Sequence, residues 1–118
     1  MQPQRPADTR VLFLGSGDLG TGAAHRVFAA GFRVAVVELA LPLAVRRRVS
    51  FAEAARSGET EVEGVTCRRM PLEMALSLPR WDFVALFVEP AGRVLDTWSP
   101  HVLVEARMRK QPIEIAVP

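Results

Sequence analysis

The feature that most constrains the fold is a glycine turn between a short apolar run and a helical pattern. The apolar run is Arg10–Leu14, and the turn that follows it reads Gly15-Ser-Gly-Asp-Leu-Gly20. A fully apolar run of this length is typical of a strand buried on both faces of a parallel sheet. Residues 21–30 have helix-forming composition, and residues 32–37 form a second apolar run. Together they predict a strand–helix–strand unit with parallel strands.

The same alternation continues to the end of the chain. Residues 61–68, 83–88 and 101–105 are predicted strands, residues 51–56, 71–78 and 91–98 are predicted helices, and 113–117 is a predicted edge strand. Ser50 and Glu53 have the spacing of a capping box. The alternation predicts a Rossmann-like, doubly wound, mostly parallel sheet of at least five strands in three α/β/α layers. We expect β1 (Arg10–Leu14) to be central, residues 1–9 to be a flexible tail, and residues 10–118 to form one domain.

Composition excludes several classes of protein. The chain has 118 residues, 49% of them hydrophobic and 24% charged, with a net charge of +2, values that do not fit a disordered chain. The mild charge and the lack of interleaved basic and aromatic residues disfavour nucleic acid as a partner. The longest apolar stretch, 34–45, is too short for a membrane span and is broken by Glu38 and Pro42. With no apolar signal core and one cysteine, we expect a bacterial, cytoplasmic protein.

The glycine turn matches the dinucleotide fingerprint, in which each glycine has a mechanical reason. Gly15 permits the tight turn, Gly17 lets the backbone approach a pyrophosphate, and Gly20 lets the helix sit close to the strand. The backbone N–H groups of residues 17–20 are then predicted to face an anion at the positive end of the helix. Ser16 and Thr21 are candidates to donate their hydroxyls to that anion, or else they only cap the helix. In the alternative interpretation, the glycines only pack the helix onto the sheet.

Two acidic residues bear on the ligand. Asp18, followed by Leu19 in the first helical turn, would repel a pyrophosphate unless its side chain points away as a helix-start residue. Otherwise the ligand is not an ordinary dinucleotide. Glu38 ends the second strand, where it could accept both ribose hydroxyls of an adenosine, which favours NAD over NADP. The alternative for Glu38 is a surface carboxylate paired with a nearby arginine.

Basic residues follow the second strand as the triplet Arg46, Arg47 and Arg48. Ligands of open α/β sheets bind at the carboxyl ends of strands, and the forked guanidinium suits phosphate, so Arg46 and Arg47 are candidate phosphate ligands. A solvated basic face is the alternative. Because consecutive residues do not share one helix face, at most two of the three should touch one ligand.

The remaining reactive side chains predict no catalytic site and no metal site. Cys67 is a lone thiol beside two arginines, and we expect a small buried hydrophobe rather than a nucleophile. His25 and His101 have no second histidine or carboxylate at metal-ligand spacing.

The sequence resembles a known bacterial family, the YqeB-type selenium-dependent molybdenum hydroxylase system proteins. The resemblance covers most of residues 10–110, including Gly15-Ser-Gly-Asp-Leu-Gly-Thr-Gly22, Ala30-Gly-Phe-Arg33, Leu43-Ala-Val-Arg-Arg-Arg-Val-Ser-Phe-Ala-Glu-Ala54, Gly58-Glu-Thr-Glu-Val-Glu-Gly64 and Val104-Glu-Ala-Arg-Met-Arg-Lys110. The family is similar in kind to the xanthine dehydrogenase accessory proteins. Two residues depart from the family pattern: Gly20 replaces the usual alanine, and Arg48 replaces the usual threonine. Family members also continue beyond this length with a further glycine-rich segment. We therefore expect a fragment, a short stand-alone form or a degenerate paralogue.

The resemblance implies an accessory role in the maturation of molybdenum hydroxylases, near a pterin-pyrophosphate cofactor. Three functions stay open at this point: a module that binds a nucleotide or molybdopterin dinucleotide, an NAD(P)-binding oxidoreductase domain, and a ligand-free interaction paralogue. The partners implied are a nucleotide-type small molecule and a molybdenum hydroxylase or its maturation proteins. A homodimer is an open possibility.

Overall fold

The computed structural model describes residues 8–38, 50–107 and 114–116 of the chain. Its strands are β1 (Arg10–Leu14), β2 (Arg33–Val37), β3 (Glu59–Val62), β4 (Val65–Arg69), β5 (Val84–Phe87), β6 (Val102–Glu105) and β7 (Glu114–Ala116). Its helices are α1 (Asp18–Ala29), α2 (Ala54–Ser57), α3 (Leu72–Ser77) and α4 (Ala91–Trp98), and a 3-10 turn at Phe51–Glu53 leads into α2. Most of the predicted tail, residues 1–7, lies outside the described residues.

All seven strands belong to one sheet, in the order β3-β4-β5-β2-β1-β6-β7. The five inner strands run parallel, whereas β3 and β7 pair antiparallel at the two edges. The chain steps from β1 to β2 on one side and later returns from β5 to β6 on the other side of β1. This reversal is the topological switch point where ligands of open α/β sheets bind. The glycine turn, residues 15–20, leaves β1 at the carboxyl edge of the sheet at this point.

Apolar side chains cover both faces of the sheet, as the continuous apolar runs predict. One core cluster includes Val11, Phe13 and Val36 of the sheet and receives α1 and α2. The other includes Leu12 and Phe87 and receives α3 and α4. The fold is therefore a three-layer α/β/α structure, which confirms the Rossmann-like prediction with β1 inside the sheet between β2 and β6.

Two local predictions need correction. Residues 61–68, predicted as one strand around Gly64, are part of a hairpin in which β3 and β4 meet at a two-residue turn. Glu63 and Gly64 both have positive φ, at 47° and 83°, as a type I′ hairpin turn requires. The chain reverses because Glu63 and Gly64 adopt the turn conformation. Pro71, predicted as the first helical residue, instead precedes α3 as its N-cap in extended conformation.

The predicted capping role of Ser50 is confirmed in part. It is the N-cap of the 3-10 turn, and its hydroxyl accepts a hydrogen bond from Ala52 N rather than from the N–H of Glu53. In the described part of the chain, no helix is long and apolar enough to cross a membrane.

Candidate functional site

Gly15 is required by its backbone conformation and by the chain segment beside it. Its φ is +95°, and a Cβ atom built on it would lie 2.9 Å from Arg107 Cα and 3.0 Å from Ala106 O. Its N–H donates to Val37 O at 2.9 Å. The segment after β6 therefore lies directly against the start of the glycine turn, which leaves no room for a side chain.

Gly20 is required by packing alone. A Cβ atom at this position would lie 2.8 Å from Gly15 O and 3.1 Å from Ala106 Cβ. The first turn of α1 can approach the end of β1 and the segment after β6 only because this residue has no side chain. These contacts account for the first and third glycines of the fingerprint through packing.

Gly17 differs from Gly15 in its backbone conformation. It is the N-cap of α1, with φ −68° and ψ −164°, an extended conformation that other residues also adopt. As a glycine it offers no side chain to cap the N–H groups of the first helical turn. Its backbone conformation therefore does not explain why a glycine is present, whereas close approach of a ligand to the backbone would.

Glu38 lies against the glycine turn, although 22 residues separate it from Ser16. One of its carboxylate oxygens accepts hydrogen bonds from Ser16 N at 2.8 Å and from Ser16 Oγ at 3.0 Å. The backbone of Glu38 continues the sheet, because its N–H donates to Phe87 O at 3.0 Å. The structure thus brings the acidic residue after β2 to the turn after β1. Its carboxylate also stabilises the turn through these two hydrogen bonds.

Three buried side chains, Ser16, Thr21 and Ser50, form what we call the hydroxyl cluster. The Ser16 carbonyl oxygen accepts from Ser50 Oγ at 2.5 Å, from Thr21 Oγ1 at 2.8 Å and from Ala52 N at 3.3 Å. Thr21 Oγ1 accepts in turn from Phe51 N at 2.9 Å. The hydroxyl cluster therefore ties the glycine turn to the 3-10 turn that follows residues 39–49.

Sequence analysis missed the place of Ser50 in this cluster. The only local signal was its capping pattern, and that pattern is satisfied by Ala52 N. The contact with Ser16 joins positions 34 residues apart, which no local spacing encodes. In the structure Thr21 Oγ1 donates to the Ser16 carbonyl and Ser16 Oγ donates to Glu38. Their proposed contacts with an anion stay predictions.

Other predicted site residues fall beyond what the structure describes. Arg46, Arg47 and Arg48 lie outside the described residues, and so do the side chains of Asp18 and Leu19. Whether these residues share one site with Glu38 and the glycine turn therefore stays a prediction.

A second polar cluster, formed by Glu73, Glu89 and Arg93, lies near the carboxyl end of β5. A carboxylate oxygen of Glu89 accepts from Leu72 N at 2.8 Å, so this side chain caps the start of α3. Arg93 lies between Glu89 and Glu73 and forms an ion pair with each of them. This cluster was not predicted from the sequence, and its contacts explain it as a cap of α3 and a link between α3 and α4.

Reactive side chains elsewhere have structural surroundings. Cys67 is fully buried in β4, and burial raises the pKa of its thiol far above its ordinary value. Both facts fit the expected buried hydrophobe, because the nucleophile would be the thiolate. His101 Nδ1 accepts from Arg10 N at 2.9 Å, which joins the starts of β1 and β6. Among the described residues, no three metal-ligating side chains come together.

Comparison with known proteins gives a relative without an assigned function. The chain is similar to the uncharacterized protein YqeB of Escherichia coli (strain K12), with 36% identity over 113 residues. The match covers 94% of this chain and 21% of the relative, so the chain spans about a fifth of the relative's length. The similarity supports the YqeB resemblance but not the molybdenum hydroxylase role attached to it. No protein-family profile and no solved structure matches the chain.

Proposed function

We propose that this chain binds a nucleotide-type ligand, with the ligand's pyrophosphate at the start of α1. The observation that supports this most is the approach of Glu38 to the glycine turn, where its carboxylate lies 2.8 Å from Ser16 N. Dinucleotide binding needs these two parts together: a glycine turn that opens a helix, and an acidic side chain at the end of the next strand. The turn also lies beside the strand-order reversal at β1 and β6.

The proposal gives the glycine turn and Glu38 separate roles in binding the ligand. The N–H groups at the start of α1 meet the pyrophosphate, aided by the partial positive charge of the helix end, which contributes about 0.3–1 kcal/mol. Gly17 allows the ligand to reach the backbone. Glu38 accepts ribose hydroxyls, and its charge disfavours the 2′-phosphate of NADP. A ribose hydroxyl then shares the carboxylate with Ser16 or replaces it.

The proposed ligand is a dinucleotide, either NAD or a molybdopterin dinucleotide. NAD and a molybdopterin dinucleotide both carry a pyrophosphate, and the YqeB resemblance favours the pterin. On that basis we propose an accessory role in the maturation of molybdenum hydroxylases, in which the chain holds the cofactor for a partner enzyme. Arg46 and Arg47, in the segment of the sequence that follows β2, are the proposed phosphate ligands.

A second candidate function is an interaction module that binds no nucleotide. The packing of Gly15 and Gly20 favours it, because contacts within the protein already account for both glycines. The hydrogen bonds from Ser16 to Glu38 favour it too, because they give the carboxylate a structural role in the turn. Gly17 is the position at which we test the two candidates against each other, because its extended backbone conformation does not itself demand glycine.

The test is the thermal stabilisation of the protein by NAD, NADP, and a molybdopterin dinucleotide, measured for three proteins. These are the unmodified chain, Gly17→Ala, and the matched control Gly22→Ala. Gly22 lies on the same helix, and a Cβ atom added there meets nothing within 4 Å. The proposal expects stabilisation in the unmodified chain and in the control, and its loss in folded Gly17→Ala. Equal stabilisation of all three would move the site away from the turn, and no stabilisation of any would favour the interaction module.

A second comparison ranks the groups that hold the ligand. We expect Glu38→Ala to weaken NAD binding by about 1–2 kcal/mol through lost hydrogen bonds to a charged group. Arg46→Ala or Arg47→Ala should cost more if these side chains hold the ligand's phosphates, because a bidentate partner is then lost. Calorimetric titration at fixed salt measures all three. Tight NAD binding that is lost only in Glu38→Ala would instead favour the oxidoreductase interpretation.

A further inference from the structure

The orientation of one peptide group follows from the hydroxyl cluster. The Ser16 carbonyl oxygen is held by three donors, of which Ser50 Oγ and Thr21 Oγ1 are the nearest, at 2.5 and 2.8 Å. No peptide bond among the described residues is cis. In a planar trans peptide, the C=O of one residue and the N–H of the next point in opposite directions. Donors that fix the Ser16 carbonyl therefore also fix the Gly17 N–H, and direct it away from the hydroxyl cluster.

Neither hydroxyl has a second hydrogen to donate elsewhere. Each hydroxyl has one hydrogen, and both Thr21 and Ser50 donate theirs to the Ser16 carbonyl. Each also accepts a backbone N–H, Thr21 from Phe51 and Ser50 from Ala52. Each hydroxyl thus uses its one hydrogen and accepts one backbone N–H, and all three hydroxyl-bearing side chains are buried. Water therefore does not readily replace a lost donor at this carbonyl.

We infer that Thr21 and Ser50 are positioning residues, which aim the Gly17 N–H at the anion without touching the anion themselves. This inference rests on the proposed function, because it gives the fixed N–H a ligand to meet. It also changes the roles predicted from the sequence. The Thr21 hydroxyl acts through the Ser16–Gly17 peptide rather than as a direct anion donor, and Ser50, predicted only as a cap, acts on the same peptide.

Two substitutions at Thr21 separate positioning from stability. Thr21→Val keeps the shape of the side chain but removes the donor to Ser16 and the acceptor for Phe51 N. Thr21→Ser keeps both hydrogen bonds and removes a methyl group. Both variants are expected to be less stable than the unmodified chain, so stability alone does not distinguish them. Only Thr21→Val should release the Ser16–Gly17 peptide.

Ser50→Ala provides a second route to the same peptide, with Ser57→Ala as its control. Ser57 is exposed, and its hydroxyl lies within hydrogen-bond distance of the carbonyl oxygens of Glu53 and Glu59, away from the glycine turn. The assay is the backbone amide resonance of Gly17 in ¹⁵N-labelled protein without ligand, at a temperature where every variant is folded. A titration with inorganic pyrophosphate then follows on the same samples.

The inference predicts that Thr21→Val and Ser50→Ala move the Gly17 amide resonance further than that of Gly92, which lies on α4. Thr21→Ser and Ser57→Ala should leave it near its original position. Pyrophosphate should bind about tenfold more weakly to Thr21→Val, the equivalent of about 1.4 kcal/mol, and with nearly unchanged affinity to Thr21→Ser. A Gly17 resonance that is unmoved in both Thr21→Val and Ser50→Ala would overturn the inference.

The Gly17 resonance and the pyrophosphate titration together distinguish a failure of this inference from a failure of the proposed function. If pyrophosphate and the nucleotides do not bind the unmodified chain, the proposed function fails while the resonance arm still reports on the peptide. If they bind but with equal affinity to Thr21→Val and Thr21→Ser, the proposed function stands and the positioning role is overturned.

Discussion

Alanine at Gly20 and alanine at Gly22 should change stability in opposite directions, although the two positions are only two residues apart on α1. At Gly22 the added Cβ meets nothing within 4 Å, and the residue is exposed. Replacing glycine by alanine in a helix interior then stabilises the protein by about 0.5–1 kcal/mol. At Gly20 the added Cβ lies 2.8 Å from the backbone oxygen of Gly15, which is not a flexible side chain that can move aside. Overpacking of this kind costs about 1–3 kcal/mol, more than the gain in helix propensity.

Urea denaturation and thermal melting measure both effects on the free energy of unfolding. For a domain of this size, about 1 kcal/mol corresponds to a shift of about 4 °C in Tm. Gly22→Ala should therefore melt a few degrees above the unmodified chain, and Gly20→Ala a few degrees below it. If Gly20→Ala is as stable as Gly22→Ala, the close approach of α1 to Gly15 and Ala106 is wrong, and packing does not explain the third glycine.

Three further outcomes follow from the described contacts. Gly15→Ala should lower the free energy of unfolding by about 1–3 kcal/mol, because alanine is strained at φ +95° and meets backbone atoms at 2.9 Å; equal stability in urea would contradict this. Cys67 should react with a thiol reagent on the order of 10³-fold more slowly in the folded than in the unfolded protein, and a fast native reaction would show that β4 is open. The pKa of Glu73 lies below its ordinary value, first through a hydrogen bond with its own backbone and then through Arg93. Because the folded-state pKa is lowered, the contribution of this group to stability is present above the unfolded pKa and is lost as the pH falls through the folded one. Titration by NMR should therefore show a low pKa that rises only part of the way in Arg93→Gln; an unchanged pKa in that variant would remove Arg93 from the explanation.

Three strands at the centre of the sheet, β1, β2 and β5, were predictable because they are almost wholly apolar. Predicting such strands needs no long-range information, because strands covered by helices on both sides have few polar positions. Examples are Arg10–Leu14 and Val84–Phe87. The edge hairpin was harder. Glu63 and Gly64 carry its turn signal, but the surrounding alternation of apolar and polar residues continues across the turn and is typical of a single strand.

The site was predictable only in the parts that local spacing encodes. The glycine turn and Glu38 belong to one strand–helix–strand unit, and the parallel pairing of β1 with β2 brings them together. The contact between Ser50 and Ser16 depends on how the chain returns to the sheet after residues 39–49, which sequence spacing does not specify. Glu89 was missed for the same reason, because its partner Leu72 N lies at the start of a helix 17 residues away.

Native mass spectrometry of gently purified protein shows whether the glycine turn binds a ligand. We expect a population that carries the mass of a nucleotide or pterin with a pyrophosphate, either copurified or after addition of NAD or a molybdopterin dinucleotide. Gly17→Ala, prepared in the same way and shown to be folded, should give only the mass of the polypeptide. A bare polypeptide mass for the unmodified chain under every condition, or the same adduct in equal amount on Gly17→Ala, would contradict the account.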